Sequence, residues 1–393
     1  MLNFNFCIPT KFVFGKDAEN QTGAEIKAFG AKKVLIHYGS GSVIRSGLLA
    51  KVIKSLEDEG IGHVELGGVV PNPRASLVYE GIKLAKAEKV DFILAVGGGS
   101  ALDSAKAIAL GAVTDVDFWD FYIGKAKPES HLPVGTVLTL AATGSESSNS
   151  SVITREDTKE KVGLNCEFNR PVLAIMNPCL TMTLPPYQTA CGATDIMAHA
   201  MERYFTQVND VDLTDRMCEA VISSVVRSAR ICMKEPDNYE ARANLMWAGT
   251  VAHNDTVGVG RLADFASHRI EHELSAKYDV AHGAGLAVVF PAWLRYQLEI
   301  KNNVMRLAQF AVRIWGVTMN FEHPEETALR GIEAYEAFLK DIGMPTTLKE
   351  LGADPKDIPE LVKRVRRAPD GTVGQYKKLV DKDIQRIFEI ADR

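Results

Sequence analysis

Five residues of this 393-residue chain have the type and spacing to hold a metal ion: Asp195, His199, His268, His272 and His282. Asp195 and His199 stand four apart in Gly192-Ala-Thr-Asp195-Ile-Met-Ala-His199, and His268 and His272 repeat that spacing in Ser267-His268-Arg-Ile-Glu-His272. On a helix, residues four apart share a face. His282 follows ten residues on, beside Gly283, where the helical pattern is expected to break. Imidazole nitrogen suits iron and zinc, and a carboxylate oxygen adds charge. A metal held this way can act as a Lewis acid on a substrate oxygen. Four donors are enough for such a site, and spacing does not decide which of the five stands outside it. The bland alternative is a buried polar network or a surface histidine cluster. A zincin-type protease is excluded, because Ala276 stands where HExxH starting at His272 needs its second histidine.

Glycine-rich stretches point to a second kind of chemistry. Phe92-Ile-Leu-Ala-Val96-Gly97-Gly98-Gly99-Ser100-Ala-Leu-Asp103 reads as a strand, a glycine turn and a helix start, with Ser100 as cap and Asp103 answering it. Such a turn lets backbone N–H groups meet a phosphate at the positive end of a helix dipole. It is not the GxGxxG fingerprint, and it also suits a plain strand-to-helix turn. Gly39-Ser40-Gly41-Ser42 follows the first strand of the sheet, where an adenine ribose would rest. An acidic side chain there would favour NAD and repel the 2′-phosphate of NADP. Glycine and hydroxyls stand there instead, so NADP is permitted. Thr139-Leu140-Ala-Ala-Thr143-Gly144-Ser145-Glu146 is dense in hydroxyls just past a strand and could line a cofactor pocket or form a polar loop.

These stretches need elements to position them. Strand signals at 33–38, 63–66, 91–96, 133–139 and 172–176 alternate with helical patterns over 43–59, 76–88 and 101–110, after an expected hairpin around Phe12-Val-Phe14. That alternation predicts an α/β, Rossmann-like domain with a mostly parallel sheet. Beyond Pro185-Pro186 strand signals fade and long 3.6-period segments follow, from Gln188–Phe205 through Glu325–Ile342. The expected division is an α/β dinucleotide-binding domain over 1–186 and an all-α metal-binding domain over 187–393. Length alone favours two domains.

Charge and composition narrow the partners. The net charge of −5, with basic residues dispersed, gives no footprint for nucleic acid or an anionic membrane. The N-terminus lacks a signal-peptide layout, and no run reaches the roughly 20 apolar residues of a membrane span. Six scattered cysteines without CxxC spacing read as reduced. A cytoplasmic protein is expected.

Several motifs in order carry a resemblance: Pro71-Asn72-Pro73, Gly97-Gly-Gly-Ser100-x-x-Asp103, Thr143-Gly144-Ser145-Glu146, Lys161, Gly192-Ala-Thr-Asp195-x-x-x-His199 and the His268, His272, His282 set. Over nearly its whole length the chain resembles the group III iron-containing, metal-dependent alcohol dehydrogenases, in the branch of butanol dehydrogenases and broad aldehyde reductases. The resemblance implies a dehydroquinate synthase-like architecture. It implies Asp195, His199, His268 and His282 as ligands of Fe²⁺, or in some members Zn²⁺, with His272 left free near nicotinamide and substrate as proton relay. The implied NAD or NADP contacts are Gly39, Ser40, Gly41, Ser42, Asn72, Gly98, Gly99, Ser100, Asp103, Thr139, Leu140, Thr143, Ser145 and Lys161, the last holding the nicotinamide ribose. The family often carries Thr at the position of Leu140. Val251-Ala-His253-Asn254-Asp255 also departs from the more apolar, glycine-containing stretch common in butanol dehydrogenases, where the family's substrate pocket lies.

What the resemblance implies is reversible hydride transfer between a nicotinamide and a short-chain primary alcohol or aldehyde, in a homodimer. A polyol (glycerol or diol) dehydrogenase on the same fold is the alternative. A dehydroquinate synthase-like lyase would want several basic residues near the ligands, and only Arg203, Arg261, Arg269 and Lys277 stand there. A silent scaffold is disfavoured by the intact ligand types and glycine loop.

Overall fold

The computed structural model describes residues 1–39 and 41–393; Ser40, one of the expected cofactor contacts, lies outside the described residues. Two compact units divide the chain: Cys7–Leu184 forms one, and Met1–Phe6 with Pro185–Arg393 the other.

The first unit is built on runs of apolar residues that cannot face water. Its strands are β1 (Lys11–Phe14), β2 (Lys33–Gly39), β3 (Gly62–Val69), β4 (Phe92–Gly97), β5 (Val134–Leu138), β6 (Ser150–Arg155), β7 (Glu160–Asn165) and β8 (Leu173–Met176). Six form one sheet in the order β1-β8-β5-β4-β2-β3, every neighbouring pair parallel. β4, β5 and β8 are buried along their whole length, as expected of parallel strands covered on both faces. The helices of this unit are α1 (Thr22–Ala28), α2 (Ser42–Arg45), α3 (Leu48–Asp58), α4 (Ala75–Glu88), α5 (Gly99–Gly111) and α6 (Phe118–Tyr122). Val34 and Ile36 of β2 pack with Ile26 of α1 and with Val52 and Leu56 of α3. On the other face His37 bonds Ser104 of α5.

β2 leads outward to β3, and β4 then returns to the opposite side of β2. The chain direction therefore switches between β2 and β4. Loops at the carboxyl ends of strands flanking such a switch point are where α/β sheets bind ligands. Gly39, Gly41 and Ser42 stand at one of them and Gly97–Ser100 at the other.

Two expectations are corrected, and one pair of strands is added. The N-terminal segment is not a hairpin: β1 is a parallel edge strand beside β8. The helical pattern over 43–59 breaks into α2 and α3 at Gly47, whose φ of 75° suits glycine. An antiparallel pair, β6 with β7, goes unseen in the sequence. Its Arg155-Glu-Asp-Thr-Lys-Glu160 connection is so charged that it masks the flanking alternation.

The second unit is helical: α7 (Pro186–Tyr204), α8 (Asp212–Lys234), α9 (Tyr239–His253), α10 (Ala266–Tyr278), α11 (His282–Glu299), α12 (Val304–Trp315), α13 (Pro324–Asp341), α14 (Leu348–Leu351), α15 (Ile358–Arg364) and α16 (Asp381–Ala391). Phe205, Phe290, Trp293, Phe310 and Tyr335 form an aromatic core against which α11 to α13 pack. α7 is buried on every side from Thr189 to Tyr204, Asp195, His199, Glu202 and Arg203 included. Polar groups so placed are tolerated only when paired or holding an ion.

Candidate metal and dinucleotide sites

In the helical unit, α7, α10 and α11 bring four of the five candidate ligands together. The Nε2 atoms of His199, His268 and His282 lie 3.4, 3.8 and 3.8 Å from Asp195 Oδ1. Those separations exceed hydrogen-bond length. They match donors spread around one ion, since four atoms each about 2.1 Å from a tetrahedral metal lie roughly 3.4 Å apart. Asp195 Oδ1, His268 Nε2 and His199 Nδ1 are buried without a hydrogen-bond partner among the described residues. Ligand atoms of Asp195, His268 and His282 all lie within 4.8 Å of one another, and His199 joins through Asp195. His272, Glu271 and His282 form a second such group, but there Glu271 already serves His282 and Ser275. The donor set of one carboxylate and three imidazoles fits a divalent transition metal.

Two glutamates orient the rings, and sequence reasoning missed both. Glu202 of α7 accepts hydrogen bonds from His268 Nδ1 (2.8 Å) and from the His268 backbone N–H (3.1 Å). Glu271 of α10 accepts from His282 Nδ1 and from the Ser275 hydroxyl. A proton held on Nδ1 leaves Nε2 with its lone pair facing Asp195. The available signal was an acid three residues after a ligand histidine on each helix, at positions that proved fully buried.

Electrostatics follow the same arrangement. Burial pushes the Asp195 carboxyl up, but the His268, His282 and His253 imidazoles around it win and hold it below the usual carboxylate range. Burial, helped by His253, His268 and Arg203, keeps His199 well below the usual histidine value and so neutral. Burial opposes a charge on His268 as well, yet Asp195 and Glu202 raise its pKa to about 9. Its proton must leave when a metal binds.

Gly283 does not break a helix. It lies in the first turn of α11, where a β-carbon would overlap the backbone carbonyl of Cys191 on α7. Gly285 one turn in leaves room for the Glu271 side chain in the same way. These glycines let α11 carry His282 up to α7 and α10.

In the α/β unit, Gly98, Gly99 and Ser100 stand at the carboxyl end of β4, beside the sheet's switch point. α5 begins at Gly99 with Gly98 as its N-cap and no side-chain cap, so Ser100 sits inside the helix and does not cap it. The uncapped first turn presents backbone amides at the carboxyl end of β4, which suits a phosphate. A β-carbon on Gly98 would press on Leu140, and one on Gly99 would lie 2.5 Å from Thr143 Oγ1. Glycine is thus needed there so that the 139–145 segment can lie on the turn. Asp103 does not answer Ser100: it accepts from the Ser145 hydroxyl (2.6 Å) and the Val152 N–H (2.9 Å). Lys106, which sequence reasoning passed over, is buried and donates to the Ser148 and Ser150 carbonyls (3.1 and 2.8 Å). Burial lowers its pKa to about 8.

The remaining expected contacts among the described residues lie on other elements of the same unit. Thr139 follows β5 and donates its N–H to the Gly97 carbonyl. Gly39 ends β2, and Gly41 and Ser42 open α2 beneath the Arg45 side chain. Asn72, buried with φ 54°, precedes α4. Lys161 lies on β7, opposite Thr154.

Comparison with known proteins agrees with both halves. The family model for iron-containing alcohol dehydrogenase matches residues 9–178, and that for the C-terminal part of the Fe-containing alcohol dehydrogenase family matches 189–391. The solved structure of an NADH-dependent butanol dehydrogenase A from Thermotoga maritima superposes with a TM-score of 0.96 at 42% identity, covering 100% of this chain and 99% of that one. A probable NADH-dependent butanol dehydrogenase 1 of Bacillus subtilis is 41% identical over 99% of both chains. The NADPH-dependent aldehyde reductase YqhD of Escherichia coli is 37% identical over 100% of both. An all-parallel nucleotide-type sheet and a helical unit with one carboxylate among three imidazoles define a metal-dependent dehydrogenase. The chain belongs to the iron-containing alcohol dehydrogenase family and is an oxidoreductase of that class.

Proposed function

We propose that the chain reduces short-chain aldehydes with NADH or NADPH, and reversibly oxidises the matching butanol-like primary alcohols. The carrying observation is the pair of buried, partnerless atoms Asp195 Oδ1 and His268 Nε2, gathered with the Nε2 atoms of His199 and His282 at ion-spanning distances. Relatives named for butanol or aldehydes are 37 to 41% identical, whereas the 1,3-propanediol dehydrogenase of Citrobacter freundii is 29% identical. That ranks a polyol substrate second.

In this reading residues 187–393 carry the metal and residues 1–186 the dinucleotide. Asp195, His199, His268 and His282 would hold Fe²⁺, or Zn²⁺ in its place. A bound ion would supply Lewis-acid polarisation of a carbonyl oxygen, and a nicotinamide would supply the hydride. The chain's own side chains do the rest. Glu202 and Glu271 keep the Nδ1 protons in place and so aim each Nε2. His272, whose ring centroid lies 5.6 Å from that of His282, moves the alcohol proton. The α5 amides of Gly99 and Ser100, with Gly98, hold the pyrophosphate. Asp103 and Ser145 clasp the 139–145 segment, with Thr139, Leu140 and Thr143, against it. Lys161 holds the nicotinamide ribose, and Asn72 is a further contact to the dinucleotide.

Gly39, Gly41 and Ser42 face the adenine ribose, and the Arg45 guanidinium over Gly41 supports acceptance of a 2′-phosphate. The chain acts in the cytoplasm as a homodimer. Supporting the dimer, Leu2, Phe4 and Phe6 alternate with polar residues and are 43, 51 and 45% exposed, an apolar stripe suited to a second copy. Among the described residues no helix is long and apolar enough to cross a membrane.

The test is a panel of C2 to C6 aldehydes and of diols with NADH and NADPH, on protein reconstituted with Fe²⁺ or Zn²⁺. Saturable oxidation of the nicotinamide with butanal among the best substrates is expected. Turnover confined to diols would overturn the proposal.

A further inference from the structure

We propose that His253 is a positioning residue for the metal centre: its imidazole, stacked on that of His199, fixes the ligand ring that no carboxylate orients. The inference rests on the assignment of Asp195, His199, His268 and His282 as the ion's ligands.

The three ligand rings are not held alike. Glu202 grips His268 and Glu271 grips His282 through Nδ1. His199 Nδ1 is buried without a hydrogen-bond partner among the described residues. Arg203 Nη1 donates to the His199 carbonyl at 3.0 Å, which steadies the backbone and leaves the ring free to turn. The final side-chain torsion of histidine has a broad well, so something else must hold this ring.

Flat neighbours supply that hold. His253 lies over one ring with centroids 3.8 Å apart and planes 21° apart, and His268 with centroids at 4.4 Å and planes at 20°. Phe265 is tilted toward His199 at 6.2 Å. Rotation of the His199 ring would drive its edge into these faces. His253 is itself well placed for the task. It ends α9, and Asp255 two residues on pairs with Arg203 of α7, at 3.2 Å, one turn beyond His199. The end of α9 is thereby tied to the helix whose ligand it steadies. A leucine or alanine at 253 would remove the flat face, and a phenylalanine would keep it.

The experiment uses the full chain, stripped of metal by chelation. Zn²⁺ affinity is measured by competition with a chromophoric chelator, and the ligand geometry by the visible absorption of the Co²⁺-loaded protein. The variants are His253→Leu, His253→Ala and His253→Phe, with Asp195→Asn as control. Leu and Ala should weaken Zn²⁺ binding roughly tenfold and broaden the Co²⁺ bands, in the range of other supports behind metal ligands. Phe should stay within about twofold of wild type, as a face-to-face support requires. The inference is overturned if the Leu variant binds Zn²⁺ as wild type does with an unchanged Co²⁺ spectrum. It is equally overturned if Phe is as weak as Leu, which would mean that a ring nitrogen matters and the stack does not. If Asp195→Asn leaves Zn²⁺ affinity untouched, the ligand assignment itself fails.

Discussion

Glu202 accepts two hydrogen bonds from His268, one from the ring and one from the backbone, and so fixes both where the residue sits and how its ring is turned. Glu202→Gln halves that charge-assisted grip. It is expected to weaken Zn²⁺ binding roughly ten- to a hundredfold, measured by chelator competition. An affinity within twofold of wild type would show that the carboxylate has no part in the centre. This scale also marks what could be read from the chain alone. Asp195 with His199 and His268 with His272 were legible because four-residue spacing on a helix is a local property. Glu202 serves a histidine 66 positions away, and His253 stacks on one 54 positions away. No spacing rule reaches that far. The choice between His272 and His282 was closed to spacing for the same reason: it depends on how α11 approaches α7.

Elements turn these residues into a site, and glycines set how closely the elements approach. Gly283 puts the first turn of α11 against the Cys191 carbonyl of α7. Gly283→Ala must separate the two helices or strain one of them. Overpacking of this kind typically costs about 1–3 kcal/mol, which predicts a melting temperature lower by several degrees together with weaker metal binding. An unchanged melting temperature and metal affinity would refute the close approach. The sequence marked this glycine, but as a break; the backbone it touches lies 92 residues earlier. In the sheet, His37 joins β2 to its neighbours. Its Nδ1 donates to the Leu66 carbonyl of β3 at 2.9 Å, and its Nε2 accepts from the Ser104 hydroxyl of α5 at 2.8 Å. Burial lowers its pKa to about 4, the Leu66 contact only partly offsetting this. The unfolded chain, with an ordinary histidine near 6.5, therefore binds more protons between those values. Stability from His37 is complete above pH 6.5 and is lost as pH falls toward 4, by about 3 kcal/mol in full. Urea unfolding at pH 7 and 4.5 should show a smaller pH difference for His37→Gln than for wild type. Equal differences would show that His37 is not held neutral.

At the scale of the whole chain, the parallel sheet and the helical unit were legible from the change of hydrophobic period near Pro185. The β6–β7 pair was not, because short antiparallel strands with a charged connection carry little pattern. Each unit supplies one requirement of an alcohol dehydrogenase: uncapped amides at a switch point in one, unpaired donors in the other. The helical unit's donors are the central claim. The most direct measurement is metal stoichiometry and aldehyde reduction on wild type and Asp195→Asn, each stripped with chelator and then given Fe²⁺. Wild type should take up a single ion per chain and recover full turnover. Asp195→Asn should retain no stoichiometric metal and lose roughly a thousandfold in rate, the scale of one Lewis-acid contribution. Full-rate aldehyde reduction by the metal-stripped protein would contradict the account.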